Sequence, residues 1–167
     1  MHETLEPTRG VRRSRGAVKH ELGESQSQTA NAIICVSMSA DLPLLLLVDD
    51  EVGVRESLKM VFSKSYRLLE ANNVDGVLAQ VQNARPDVVL LDVLMPKTDG
   101  IEVLRRIKEI HSDCAVIILT GINSQQVAAK ASEFGAFDFI GKPFDVIELR
   151  QKVARAVEHV KSQKSLA

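Results

Sequence analysis

Polar side chains that could do chemistry stand at the ends of four short apolar runs. They are Asp49, Asp50 and Glu51 after the first run, Asp92 at the end of the third, Thr120 at the end of the fourth and Lys142 after the fifth. Clustered carboxylates raise each other's pKa unless a cation lies among them. Every candidate ligand is an oxygen, which suits Mg²⁺, an ion that keeps several waters and shares its sites with phosphate.

An aspartate held beside Mg²⁺ can attack phosphorus as a nucleophile. We assign this role to Asp92, and we assign metal binding to Asp50, with Asp49 acting through a metal-bound water. The ammonium of Lys142 would contact the phosphoryl oxygens, and the hydroxyl of Thr120 would bond to the product. Glu51 would be peripheral.

Each of these residues also has an ordinary structural interpretation. An Asp pair after a strand often caps the next helix. A lysine before proline is usually a solvated loop charge, and a threonine after a strand usually belongs to a cap or turn. The functional interpretation depends on the joint placement, because random polar residues would not coincide with four strand ends.

Apolar patterns predict the elements that would bring these side chains together. The predicted strands are Leu44–Val48, Tyr66–Ala71, Val88–Asp92, Ala115–Thr120 and Asp138–Gly141. The predicted helices are Val52–Phe62, a second from its cap at Asp75 to Arg85, Gly100–Ile110, Ser124–Phe134 and one from its cap at Asp145 to about Val160. Five alternations with short connections predict an α/β fold with a doubly wound, five-stranded parallel sheet. Sites in such sheets form at the carboxyl ends of the strands.

The chain ends differ from this regular part. Residues 1–41 carry an arginine cluster and a polar run, ESQSQTAN, without a sustained helical or strand period, so we expect a disordered extension. Met38 is the expected natural start, which would place residues 1–37 upstream of it. Residues 42–161 would form the domain, and residues 162–167 a polar tail.

Composition narrows the possible partners and location. The 167 residues carry a formal net charge of −1, which favours neither direct nucleic-acid binding nor a membrane surface. The longest apolar run is far shorter than the ~20 residues that span a bilayer. Cys35 and Cys114 form no CxxC unit, and we expect a reduced, cytoplasmic protein.

Four segments together resemble the receiver domain of two-component response regulators, in its stand-alone, single-domain form. They are LLLLVDDE at 44–51, VLLDVLMPKTDG at 89–100, ILTG at 118–121 and GAFDFIGKPF at 135–144. The resemblance covers about residues 43 to 160. It implies a flavodoxin-like sheet with strand order 2-1-3-4-5 and five helices.

The resemblance also implies the roles of particular residues. Asp92 would accept a phosphoryl group from a histidine kinase or a phosphotransfer protein, and Asp50, Asp92 and the backbone carbonyl of Leu94 would bind Mg²⁺. A cis peptide bond would join Lys142 to Pro143. Such a protein is not an enzyme in the usual sense, since it catalyses only its own phosphorylation and dephosphorylation.

A conformational switch is implied at Thr120 and Phe139. Thr120 would move toward the phosphoryl group and Phe139 would turn inward, changing a surface that a downstream protein partner reads. The protein would be a monomer or a phosphorylation-dependent dimer. Leu94 and Ile122 stand where polar side chains orient water in rapidly cycling members, so we expect a long-lived acyl phosphate.

The alternative function is a Mg²⁺-dependent phosphatase or mutase that works through an aspartyl phosphate. Such enzymes usually carry the nucleophile and a second Asp two residues apart after one strand. Here the adjacent Asp49 and Asp50 follow the first strand, and the candidate nucleophile Asp92 ends the third. A nucleotide or flavin binder is disfavoured because no GxGxxG or GxxxxGK[ST] follows any predicted strand.

Overall fold

The computed structural model describes residues 42–121 and 125–167. The predicted disorder of residues 1–41, the expected start at Met38, the predicted helix cap Ser124 and the predicted role of Ile122 lie outside these residues.

The described residues form five strands and five helices in strict alternation. The strands are β1 (Leu44–Val48), β2 (Arg67–Ala71), β3 (Val88–Asp92), β4 (Ala115–Thr120) and β5 (Asp138–Gly141). The helices are α1 (Val52–Phe62), α2 (Val74–Ala84), α3 (Gly100–Ile110), α4 (Gln125–Glu133) and α5 (Val146–Leu166). All neighbouring strands pair in parallel in the order β2-β1-β3-β4-β5, which confirms the predicted flavodoxin-like fold.

The central strands are buried on both faces of the sheet. Every residue of β1, β3 and β4 is buried. One face packs against α2, α3 and α4, and the other packs against α1 and α5. Double burial explains why these strands are continuous apolar runs rather than alternating ones. β2 is an edge strand, as its exposed Arg67 and Glu70 predict.

Helix caps differ from prediction at one of two predicted aspartates. Asp145 caps α5 as predicted, accepting hydrogen bonds from the N–H groups of Ile147 and Glu148. The predicted cap at Asp75 is wrong. The Asn73 side chain caps α2 instead, accepting from the Gly76 N–H at 2.9 Å, and Asp75 lies in the first turn. Both residue types are good caps, so residue type alone does not distinguish the two positions.

The last helix is longer than predicted. α5 continues to Leu166, so the predicted tail at 162–167 is largely helical rather than frayed after Val160. Lys164 in the added turn donates to Asp87 Oδ1 at 2.6 Å, and Asp87 Oδ2 accepts from the Leu44 N–H at 2.8 Å. Helical periodicity cannot predict this pairing, because the two residues are far apart in the sequence. Among the described residues, no helix combines the length and apolar character needed to cross a membrane.

Candidate functional site

The residues predicted to do chemistry lie at one edge of the sheet. Asp49 and Asp50 follow β1, and Asp92 ends β3, which pairs with β1. Thr120 ends β4, the other neighbour of β3. Lys142 follows β5, and its backbone N–H donates to the carbonyl of Thr120 at 2.6 Å. Parallel pairing therefore brings four distant segments to one crevice.

Three carboxylates form a compact cluster at this edge. One oxygen from each of Asp49, Asp50 and Asp92 lies within 4.8 Å of the other two. Asp49 and Asp92 are buried, whereas Asp50 is exposed to solvent. Solvent therefore reaches the cluster at Asp50.

Lys142 bridges the two buried carboxylates. Its Nζ donates to Asp49 Oδ2 at 2.7 Å and to Asp92 Oδ2 at 3.0 Å. Burial alone would lower the pKa of Lys142, but these two hydrogen bonds and charges outweigh burial and raise the pKa. The ammonium therefore keeps its charge and neutralises part of the cluster.

Backbone N–H groups fix the other oxygen of each buried carboxylate. Asp49 Oδ1 accepts from the Glu51 N–H, and Asp92 Oδ1 accepts from the Leu94 N–H, both at 2.9 Å. Sequence reasoning missed Arg55, whose guanidinium donates to the Asp49 carbonyl at 2.7 Å. The sequence could have pointed to Arg55, because the residue lies in the first turn of the helix that directly follows the acidic run.

The loop after Asp92 is held by a close backbone approach. A Cβ on Gly100 would lie 2.4 Å from Val93 Cα, so only glycine fits where α3 begins. Asp99 caps α3 by accepting from the Ile101 N–H at 2.9 Å, and Lys97 has a positive φ of 61°. These features fix where the chain leaves the site.

The two predicted switch residues occupy different environments. Thr120 is buried, and its hydroxyl donates to the Gly121 carbonyl at 3.2 Å. Phe139 has its side chain outward, with 50% of its surface exposed. Leu94 is 59% exposed, and its Cδ1 would lie 2.8 Å from a Cβ added at Gly121. The peptide bond between Lys142 and Pro143 is cis.

The donor set fits a hard divalent cation. The cluster offers only carboxylate oxygens, and its open side at Asp50 leaves room for water ligands. Three carboxylates and one ammonium leave an excess of negative charge that a divalent ion would balance. Mg²⁺ favours this combination of few protein oxygens and several waters.

The fold and this acidic crevice define a class of protein, and sequence comparison identifies it. The model of the response regulator receiver domain family matches residues 45–154, so the chain belongs to that family of two-component systems. Among similar proteins, sporulation initiation phosphotransferase F of Bacillus subtilis (strain 168) is 40% identical over 112 residues, covering 66% of this chain and 90% of that protein. The DNA-binding transcriptional regulator NtrC of Proteus hauseri is 35% identical over 119 residues, which are 71% of this chain and 25% of NtrC.

Solved structures agree with this assignment. The receiver domain of a LuxO repressor protein from Vibrio parahaemolyticus, itself described as putative, superposes with a TM-score of 0.69 and 25% identity, covering 75% of this chain and 97% of that one. A receiver domain protein from Clostridium thermocellum gives a TM-score of 0.67 with 32% identity, covering 75% of this chain and 100% of that one. The chain thus matches whole receiver domains but only about a quarter of the longer regulator NtrC.

Proposed function

We propose that this protein is a phosphorylated signalling receiver in which Asp92 accepts a phosphoryl group from a phosphohistidine of a histidine kinase or phosphotransfer protein. A carboxylate oxygen of Asp92 forms a bond to phosphorus as the bond between phosphorus and the histidine nitrogen breaks. The observation that carries the proposal is the convergence of Asp49, Asp50, Asp92 and Lys142 at one sheet edge.

Hydrogen bonds already orient the proposed nucleophile. The Leu94 N–H fixes Oδ1 of Asp92 at 2.9 Å, and Lys142 holds Oδ2 at 3.0 Å. The attacking carboxylate therefore loses little freedom at the moment of reaction. After transfer, the Lys142 ammonium contacts the new phosphoryl oxygens and offsets their charge.

Asp50, Asp92 and the backbone carbonyl of Leu94 would hold Mg²⁺, with Asp49 acting through a water ligand. When bound, the ion supplies positive charge beside the phosphoryl oxygens. Asp50 is exposed and can reach an incoming cation, while Asp49 is buried and engaged by Lys142. These environments support a direct ligand role for Asp50 and an outer role for Asp49.

Thr120 and Phe139 would convert phosphorylation into a changed surface. The Thr120 hydroxyl now donates to a neighbouring carbonyl and can rotate to donate to a phosphoryl oxygen instead. Phe139 then turns from its exposed position into the space that Thr120 leaves, and a downstream protein partner reads the altered face. We expect a monomer that stays monomeric or dimerises on phosphorylation.

Incubation with acetyl phosphate and Mg²⁺, followed by intact-protein mass spectrometry, tests the proposal. Wild type should gain the mass of one phosphoryl group, and Asp92→Asn should gain none. Asp113→Asn is the matched control, because Asp113 is an exposed carboxylate at the opposite end of β4. EDTA should abolish the gain in wild type.

Two results would contradict the proposal. An equal gain of mass in wild type and Asp92→Asn would place the modification elsewhere, and loss of the gain in Asp113→Asn would show a nonspecific effect of removing carboxylates. Addition of hydroxylamine gives an independent check, since it removes an acyl phosphate but leaves phosphoserine and phosphothreonine intact.

A further inference from the structure

Lys152 of α5 connects that helix to the edge strand β5. Its Nζ donates to Asp138 Oδ1 at 3.0 Å and to the backbone carbonyl of Phe139 at 2.6 Å. It also lies 3.3 Å from Glu148 Oε1, one helical turn earlier. Two hydrogen bonds and one ion pair therefore hold the ammonium in place.

The same ammonium lies over the aromatic ring of Phe139. The distance from Lys152 Nζ to the ring centroid is 5.5 Å, within the range of a cation–π interaction. The lysine side chain is only 15% exposed, although Phe139 beside it is 50% exposed. Limited solvent around the ammonium strengthens its attraction to the ring.

Asp138 keeps the ammonium in this position. Asp138 Oδ1 also accepts from the Phe139 N–H at 2.8 Å, and Arg155 donates to Asp138 Oδ2 at 3.1 Å. The carboxylate is therefore held from two sides while it holds Lys152. Both the backbone and the ring of Phe139 are thus tied to one network.

We propose that Lys152 is a positioning residue that holds the Phe139 ring outward in the unphosphorylated protein. The ring can turn inward only by leaving the ammonium, so the contact opposes the movement. The inward turn breaks this contact but leaves Lys152 paired with Asp138, so the cost falls on the ring movement alone. The consequence for signalling rests on the proposed function, whereas the ring position does not.

A fluorine label on the ring measures the proposal directly. 4-Fluorophenylalanine is incorporated at position 139 alone, and its ¹⁹F resonance is recorded in unphosphorylated protein with a soluble paramagnetic gadolinium chelate. An outward ring is strongly broadened, and an inward ring is protected. Lys152→Met removes the charge and keeps the length of the stem. It should raise the inward-to-outward ratio at least about two- to five-fold, because that is the effect of one such contact at an exposed site and the ammonium here is less exposed.

Three further variants separate positioning from general disturbance. Lys152→Arg keeps a cation over the ring and should restore the wild-type ratio. Lys161→Met removes an exposed lysine from the same helix and should change nothing. Asp138→Asn keeps Lys152 but weakens its anchor, so it should shift the ratio in the same direction by less. It also tests the proposal if Lys152→Met fails to fold.

The outcomes are distinguishable from failure of the proposed function. An unchanged or more outward ring in both Lys152→Met and Asp138→Asn overturns the inference, even if Asp92 is phosphorylated normally. A protected ring in Lys152→Met supports the inference, even if acetyl phosphate leaves Asp92 unmodified. Equal protection in Lys152→Arg and Lys152→Met overturns it, because the positive charge would then be irrelevant.

Discussion

Asp50→Asn should stabilise the protein without divalent cations and destabilise it relative to wild type when Mg²⁺ is saturating. Asp50 is the exposed member of a three-carboxylate cluster whose oxygens lie within 4.8 Å of one another. The substitution removes one negative charge and preserves the size of the side chain. It therefore changes repulsion and metal binding with little change in packing.

Coulomb's law sets the size of the effect without metal. Two unit charges 4.8 Å apart repel by about 1 kcal/mol in a water-like dielectric and by about 3.5 kcal/mol at an effective dielectric constant of 20. Because Asp50 is exposed, the lower value applies to its pairs with Asp49 and Asp92, and attraction to Lys142 offsets part of the sum. We expect a net gain of about 1 kcal/mol in the free energy of unfolding.

Saturating Mg²⁺ should make wild type more stable than Asp50→Asn, the reverse of the order expected without metal. A ligand that binds only the folded state stabilises it by about 2.7 kcal/mol at a concentration 100 times its Kd. Wild type should gain this amount, and Asp50→Asn, having lost a proposed direct ligand, should gain much less. The variant then becomes less stable than wild type by about 1–2 kcal/mol.

Urea unfolding measures both arms. Far-UV circular dichroism is the suitable signal because the chain contains no tryptophan and one tyrosine. Curves are recorded in EDTA and in Mg²⁺ for wild type, Asp50→Asn and the control Asp113→Asn, which should stay within about 0.5 kcal/mol of wild type in both buffers. If Asp50→Asn is less stable than wild type in EDTA, the repulsion argument is wrong. If Mg²⁺ stabilises both equally, Asp50 is not a ligand.

Three further predictions follow from other features. Gly100→Ala should lower the free energy of unfolding by about 3 kcal/mol in urea titrations, because the new Cβ would meet Val93 Cα at 2.4 Å. Burial, reinforced by the charge of Arg85, lowers the pKa of His111 below 6.5. The unfolded chain therefore binds a proton more readily than the folded one, and the free energy of unfolding should fall as the pH drops below about 6.5. His111→Gln should reduce this dependence of the free energy of unfolding on pH between pH 7 and 5. Leu94→Asn should shorten the lifetime of the acyl phosphate roughly tenfold by orienting water, measured as decay of the phosphorylated mass; loss from wild type within seconds would contradict the expected slow decay.

Most of the fold could be predicted from the local pattern of apolar residues. Runs such as Val88–Leu91 are apolar without alternation, which predicted strands buried on both faces, and four of the five predicted strands have the observed bounds. The exception is β2, which begins at Arg67 rather than at the predicted Tyr66. Tyr66 instead packs edge-on against Phe62, a contact between side chains that strand periodicity does not encode.

Helix ends were less predictable because they depend on neighbours outside the helix. Asn73 and Asp75 are both suitable caps by residue type, but it is Asn73 that has the extended backbone of a cap and accepts from the Gly76 N–H. α5 continues beyond Val160 to Leu166, and its Lys164 meets Asp87, 77 residues away in sequence. The pattern of neighbouring residues does not predict a contact between residues so far apart.

The sequence alone determined which residue types end the strands, and hence that carboxylates, a hydroxyl and an ammonium would share one sheet edge. This followed because parallel strands all carry their carboxyl ends to the same side. Only the tertiary structure decided that Lys142 bridges Asp49 and Asp92 and that Lys152 lies over an exposed Phe139. Side-chain direction and burial arise from packing between distant segments, and these set the distances on which charge interactions depend.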